Sequence, residues 1–205
     1  MELQEREIVM KKQHNPIGRR ICVLVGFCLL VIAVLLPLLW QWRADSSAQK
    51  MREYVHLIRK LIPEPQSAVL EERRDNTMPI LSLDGTDFVG ILEISRYDSA
   101  LPVCANWGKV SKYPCRFYGS IYDGTMQIGG TSQTGQYDFY REISAGDTVY
   151  FTDMEGNRYA YAVTDIRYAK HADQTVLQYK EAALTLFVKN IYGFEYIVVF
   201  CNMLE

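Results

Sequence analysis

The chain has 205 residues, a formal net charge of −2, 49% apolar residues and 22% charged residues. This composition calls for a packed core and excludes wholesale disorder, and the length holds one ordinary domain with accessory segments rather than two full domains. The first 85 residues are net basic by two and the remainder net acidic by four, with no long basic stripe, so a nucleic-acid partner has no support.

Residues 1–20 form a short tail that carries Lys11, Lys12, Arg19 and Arg20. Residues 21–40 read ICVLVGFCLLVIAVLLPLLW, 20 residues without a charge. That is enough helix to cross a hydrocarbon core of about 30 Å. The run exceeds a typical signal-peptide core, and no small-x-small cleavage site follows it closely. Trp40 and Trp42 fit an interfacial aromatic belt, and Pro37 sits near the far end of the run. The basic residues before the run place the tail in the cytoplasm and everything after residue 42 outside, although Arg43, Lys50 and Arg52 follow on the other side. Membrane lipid is therefore an expected partner of residues 21–40. Cys22 and Cys28 read as apolar fillers of the span. Cys104, Cys115 and Cys201 fall in the exported part, where an odd count leaves one unpaired; the sequence leaves a Cys104–Cys115 bridge open. No CxxC or Cys/His cluster suggests a metal site, and no cofactor is expected.

Residues 41–85 read as a stalk and linker. Met51, Tyr54, Val55, Ile58, Leu61 and Ile62 share one helical face over residues 45–62, and Pro63 and Pro65 end the pattern. A helical spacer is favoured over a helix that packs on the domain or lies on the membrane. Residues 66–85 include EERRDN and read as a solvated linker.

Residues 86–205 read as the folded domain. Apolar alternation places a strand at Phe88–Ile94, leading to the Leu101-Pro102-Val103 segment. Further strands at Ser120–Tyr122 and Thr125–Ile128 flank an Asp123-Gly124 turn. Thr148–Thr152 and Arg158–Ile166 flank a turn with Gly156, and Ala183–Val188 and Tyr196–Cys201 close the chain around Tyr192-Gly193. Glu142–Gly146 and Asp173–Tyr179 are expected to hold single helical turns. The fold class is all-β, a barrel or sandwich of about eight strands with short helical turns, preceded by one transmembrane helix. Asp147, Asp153 and Glu155 read as a solvated hairpin rim rather than a Ca²⁺ site. Trp107, Tyr113, Phe117 and Tyr118 read as core aromatics rather than a groove lining.

The order of these segments resembles the sortases, the membrane-anchored cysteine transpeptidases of Gram-positive bacteria. DFVGILEI followed by LPV is similar to the family's opening strand and turn, and YPCRFYGSIYDGTMQIGG to the approach to its histidine. GQYDFYREISAGDTVYFTDMEGNRYAYAV and ALTLFVKNIYGFEYIVVFC are similar to its central hairpin and last two strands. The resemblance covers residues 87–204 and is closest to class B-like clostridial members. It implies an eight-stranded β-barrel with a groove for a sorting signal such as LPxTG, and transpeptidation of surface proteins to the cell wall or pili.

The family's chemistry uses a cysteine nucleophile, a histidine that protonates the leaving amine and an arginine that holds substrate or oxyanion. At the positions that match, this sequence has Lys189, Thr131 and Tyr196 respectively. A threonine hydroxyl shuttles no protons near neutral pH, and a lysine attack on a peptide ends in a stable amide. Tyr196 carries no positive charge. No catalytic residue is therefore expected. A displaced pair, His171 with Cys201, is disfavoured because Cys201 is an odd number of residues from Tyr196 and faces the other side of the strand. A Lys189–Glu195 charge pair filling the emptied site is a further expectation. The sequence thus favours a non-catalytic member that binds a sorting-signal peptide, a surface protein or an active sortase. An active transpeptidase with other residues and a structural envelope protein are the alternatives.

Overall fold

The computed structural model describes residues 16–67, 76–97, 99–132, 138–170, 182–189 and 195–204, without the side chains of residues 16–19, 22, 23, 40–45, 99, 138 and 141. Outside the described residues lie most of the N-terminal tail, most of the EERRDN linker, His171, the expected turn at 173–179 and the Tyr192-Gly193 junction. The Trp40 and Trp42 side chains lie outside them too.

The chain divides into two units, Met1–Trp42 and Arg43–Glu205. The described part of the first unit belongs to a helix, α1 (Pro16–Leu61), and presents exposed apolar side chains from Ile21 to Leu39. Among the described residues no helix is long and apolar enough to cross a membrane. The case for a span therefore rests on the uncharged sequence 21–40.

Among the described residues the second unit has ten strands: β1 (Gln66–Ser67), β2 (Leu81–Leu83), β3 (Thr86–Ile94), β4 (Ser99–Cys104), β5 (Cys115–Tyr118), β6 (Met126–Thr131), β7 (Thr148–Asp153), β8 (Asn157–Ala169), β9 (Leu184–Lys189) and β10 (Tyr196–Met203). Eight of them close a ring in the order β8-β10-β9-β6-β5-β4-β3-β7, with β7 pairing back onto β8. The ring is antiparallel except at β4–β5 and β6–β9. β1 and β2 lie off it as short additions to β8 and β3. Closure removes the free edges of an open sheet. Alternate residues point inward, and Val89, Leu92, Ile128, Phe151, Tyr161, Leu186, Val199 and Cys201 belong to the interior core.

The C-terminal part of α1 differs from the expected spacer. Met51, Val55, Ile58 and Ile62 are buried. Val55, Ile58 and Ile62 pack with Phe88, Ile91, Cys104 and Cys115 on the outside of β3–β5. Burial of that apolar face outweighs what a free helix would gain from solvating its charges. Arg59 and Arg158 both reach Glu93, at 2.6 and 3.3 Å, across the same contact. A cavity of about 300 Å³ opens there, lined among others by Arg52, His56, Arg59 and Glu93.

Two further expectations shift. Ser120–Tyr122 is part of a turn rather than a strand, and the antiparallel partner of β6 is β5. The Asp123 carboxylate accepts the Ser120 and Thr125 N–H groups at 3.2 and 3.0 Å, so a side chain ties off the backbone that a hairpin ladder would have used. The helical turn expected at 142–146 lies instead at Asp138–Arg141. The Glu142 and Ile143 N–H groups close back on the Phe139 carbonyl, and the Asp147 carboxylate takes the Ser144 N–H at 2.9 Å.

Candidate functional site

Strand register brings into one row the three positions that the sequence resemblance singled out. Thr131, the last residue of β6, pairs with Lys189, the last residue of β9, and Lys189 pairs with Tyr196, the first residue of β10. Directly opposed residues on neighbouring strands share a face, so the three side chains stand together at one end of the barrel, on its outer surface. The next row on that face is Gly129, Phe187 and Val198, and the one after it Gln127, Thr185 and Phe200. Successive rows are roughly 6.7 Å apart.

Aromatic rings cover the second row. Trp107 lies 4.8 Å from Phe117 and 5.7 Å from Phe187 between ring centroids, and Phe117 lies 5.4 Å from Phe187. Gly129 makes room for them, since a Cβ there would sit 2.4 Å from the Phe187 ring and 2.7 Å from that of Trp107. Asn106 starts the short helical turn at Trp107–Lys109 by accepting the Gly108 N–H at 2.8 Å, which presents Trp107 to the patch. Trp107 and Phe117 each remain 38% exposed. These two aromatics thus line an outer surface rather than the core, while Tyr113 stacks on Tyr54 and Phe88 beneath α1.

The remaining site residues fall as follows. Lys189 and Glu195 are both exposed, and no ion pair joins them among the described residues. The expected charge pair is therefore not formed; the strand end leaves both groups in water. Cys201 is fully buried in the barrel interior, and burial pushes its thiol up to about 12. Tyr196 packs on the outer face with Phe187, Val198 and Phe200, opposite to Cys201. Sequence reasoning missed Arg167, which pairs with Val198 and holds its guanidinium 5.3 Å from the Phe200 ring while bonding Asp165 at 2.7 Å. Its signal was hidden because the β8–β10 register is not written in local pattern.

The acidic hairpin also departs from a solvated rim. Asp153 is fully buried. Its carboxylate accepts from the Tyr122 hydroxyl at 3.0 Å, and from the Glu155 N–H, the Asn157 N–H and the Asn157 amide at 2.9 Å each. Asp147 accepts from Arg96 at 3.2 Å. Among the described residues no group of three or more His, Cys, Asp or Glu side chains is placed to hold a metal ion.

As a chemical device the row offers an ammonium, two hydroxyls and an apolar floor. Lysine nucleophiles are activated in desolvated pockets or beside another cation. Lys189 is exposed and has neither arrangement among the described residues.

No family model matches the sequence, and no curated protein matches it. Solved structures do. The chain is similar to sortase C1 from Streptococcus agalactiae, with a TM-score of 0.51 and 19% identity over 60% of this chain and 71% of that one. It is also similar to a lid mutant of sortase A from Corynebacterium diphtheriae, with a TM-score of 0.50 and 16% identity over 79% of this chain and 94% of that one. At these identities the likeness concerns the fold: the second unit is a closed eight-stranded barrel of the sortase type.

Proposed function

We propose that the chain is a membrane-anchored, extracytoplasmic homologue of the sortases that binds a sorting-signal peptide, or the protein bearing it, without cleaving it. The row Thr131–Lys189–Tyr196 carries this reading. It occupies, in register, the positions where the resemblance puts histidine, cysteine and arginine. Each exchange removes a different requirement of thioester chemistry: the proton shuttle, the thiolate and the fixed positive charge. Trp107 and Phe117, partly exposed over the buried Phe187 ring one row away, support binding, because aromatic anchors beside a polar rim are what peptide recognition uses. Residues 21–40 supply the anchor in this reading, with the tail inside and the barrel outside.

The full chain in detergent, incubated with LPxTG-like and NPxTN-like peptides and an amine acceptor, tests it. Mass spectrometry is expected to find no cleaved, transferred or trapped peptide beside an active sortase control. Anisotropy with the same peptides is expected to show saturable binding, weakened at least about fivefold by Trp107→Ala. Product that scales with protein concentration would overturn the non-catalytic reading. Absence of saturable binding to any peptide would leave a structural envelope protein.

A further inference from the structure

We propose that Cys104 and Cys115 are a dithiol pair that closes to an intramolecular disulfide and pins the Trp107 loop to the barrel. The two residues lie opposite each other in the bridge that joins β4 to β5. Neighbouring strands run roughly 4.8 Å apart, within the Cα separation that a disulfide accepts. The Cys104 N–H donates to the Pro114 carbonyl at 2.8 Å, so the backbone on both sides is fixed. The Cys115 thiol donates to the Tyr113 carbonyl at 3.3 Å and the Cys104 thiol to the Asn106 carbonyl at 3.6 Å, and the two thiols are near enough to shift each other's ionisation. The Asn106 N–H points at the Cys104 sulfur from 3.4 Å. Lys109, held by the Gly85 carbonyl at 2.6 Å and the Thr86 hydroxyl at 2.9 Å, adds a positive charge nearby.

These contacts make the two thiols unequal. Their mutual interaction is the largest cause that shifts Cys104 down and Cys115 up, with burial opposing the first shift and adding to the second. Cys104, whose sulfur faces the Asn106 N–H and the Lys109 charge, is the attacking thiolate and Cys115 resolves. With a small-molecule disulfide as oxidant, the Cys104 thiolate attacks one of its sulfurs and expels a thiolate. Cys115 then loses its proton and attacks the Cys104 sulfur, expelling the second thiolate. Two protein thiols and one oxidant disulfide become one protein disulfide and two small thiols.

Both sulfurs are fully buried beneath α1 with Val55, Ile58 and Phe88. The oxidant reaches them during folding or a local opening, and the finished bond is then shielded from reductant. The other described cysteines offer no rival in this cluster: Cys201 lies inside the barrel and Cys28 in the first unit. The loop closed by the bond holds Trp107, so the disulfide would set one wall of the aromatic patch.

The test uses the purified full chain, and its outcome is independent of where the barrel resides in the cell or what it binds. The chain is refolded from denaturant in glutathione buffers of graded oxidised-to-reduced ratio, quenched in acid, alkylated and digested with trypsin. Cleavage after Arg96, Lys109, Lys112 and Arg116 puts the cysteines on peptides 97–109 and 113–116. The disulfide then appears as the joined pair, two hydrogens lighter than their sum. The expected result is that joined pair, three alkylated thiols of the five in the chain, and a Tm roughly 5–10 °C above the dithiothreitol-reduced form. Cys104→Ser with Cys115→Ser is expected to abolish the response to reductant. Five alkylated thiols at the most oxidising ratio, glutathione adducts alone, or a link to Cys201 would each overturn the proposal.

Discussion

The sequence resemblance sets Lys189 against the sortase nucleophile, so under the proposed reading its surroundings decide much about the site. It is exposed, and Glu195 beside it is exposed as well. A buried ion pair there would make loss of the lysine costly, because the carboxylate would be left uncompensated. An exposed group carries no such penalty. Lys189→Ala is expected to change the unfolding free energy by less than about 0.5 kcal/mol in urea titration. A loss above about 1 kcal/mol would mean a partner for the lysine and would reopen the filled-site idea. Cys201 is the opposite case. Its thiol is buried in the barrel interior and raised to about 12 by that burial. In the unfolded chain it ionises near its ordinary value of about 8.5. Between those two values the unfolded state releases a proton that the folded state keeps, so stability is full below the lower value and falls as pH rises toward the upper one. The expected slope from this group is a loss of about 1.4 kcal/mol per pH unit. Tyr54 and Tyr161 are raised too, so the comparison is with Cys201→Ala, whose stability should fall less steeply from pH 9 to 10. Equal slopes for the two proteins would show that the thiol is not desolvated.

At the level of elements, apolar alternation marked the central parts of β3, β6, β7, β8, β9 and β10, because one face of each fills a closed interior. It missed β5. That strand has four residues behind Pro114, with a register shift between Arg116 and Tyr118, too few for a period of two to show. Pattern also names the face a residue occupies but not its neighbour. The parallel β6–β9 pairing that aligns Thr131 with Lys189 joins segments more than fifty residues apart in the chain. The family resemblance, not local pattern, pointed to that row. The helical face after residue 45 was legible as amphipathic, and its docking was not, since the same stripe serves a spacer or a packed helix. Docking makes a contrast along one helix. Ile58 is fully buried against the β3–β5 cluster, whereas Leu61 is 59% exposed. Ile58→Ala is expected to cost about 2–4 kcal/mol and Leu61→Ala less than about 0.5 kcal/mol in chemical denaturation. Comparable small effects at both positions would show that the helix does not dock.

For the molecule as a whole, the barrel alone does not say which side of a membrane it occupies, and the sequence before it supplies that argument. A run of 20 uncharged residues has an unfavourable transfer to water, and the residues described within it are exposed apolar side chains. Lys11, Lys12, Arg19 and Arg20 before the run compete with Arg43, Lys50 and Arg52 after it. The proposed orientation follows from the first group, since charges ahead of the first span dominate topology in most single-pass proteins. The full chain is expected to stay with membranes after carbonate extraction, and deletion of residues 21–40 to release it. On intact cells stripped of wall, external protease should degrade an epitope at the C-terminus and spare one at the N-terminus. The reverse pattern would place the barrel in the cytoplasm, away from exported surface proteins and their sorting signals. Removing the bias by Arg19→Glu and Arg20→Glu is expected to shift part of the population to that inverted state, because Arg6, Lys11 and Lys12 in the tail would then no longer outnumber Arg43, Lys50 and Arg52 on the barrel side.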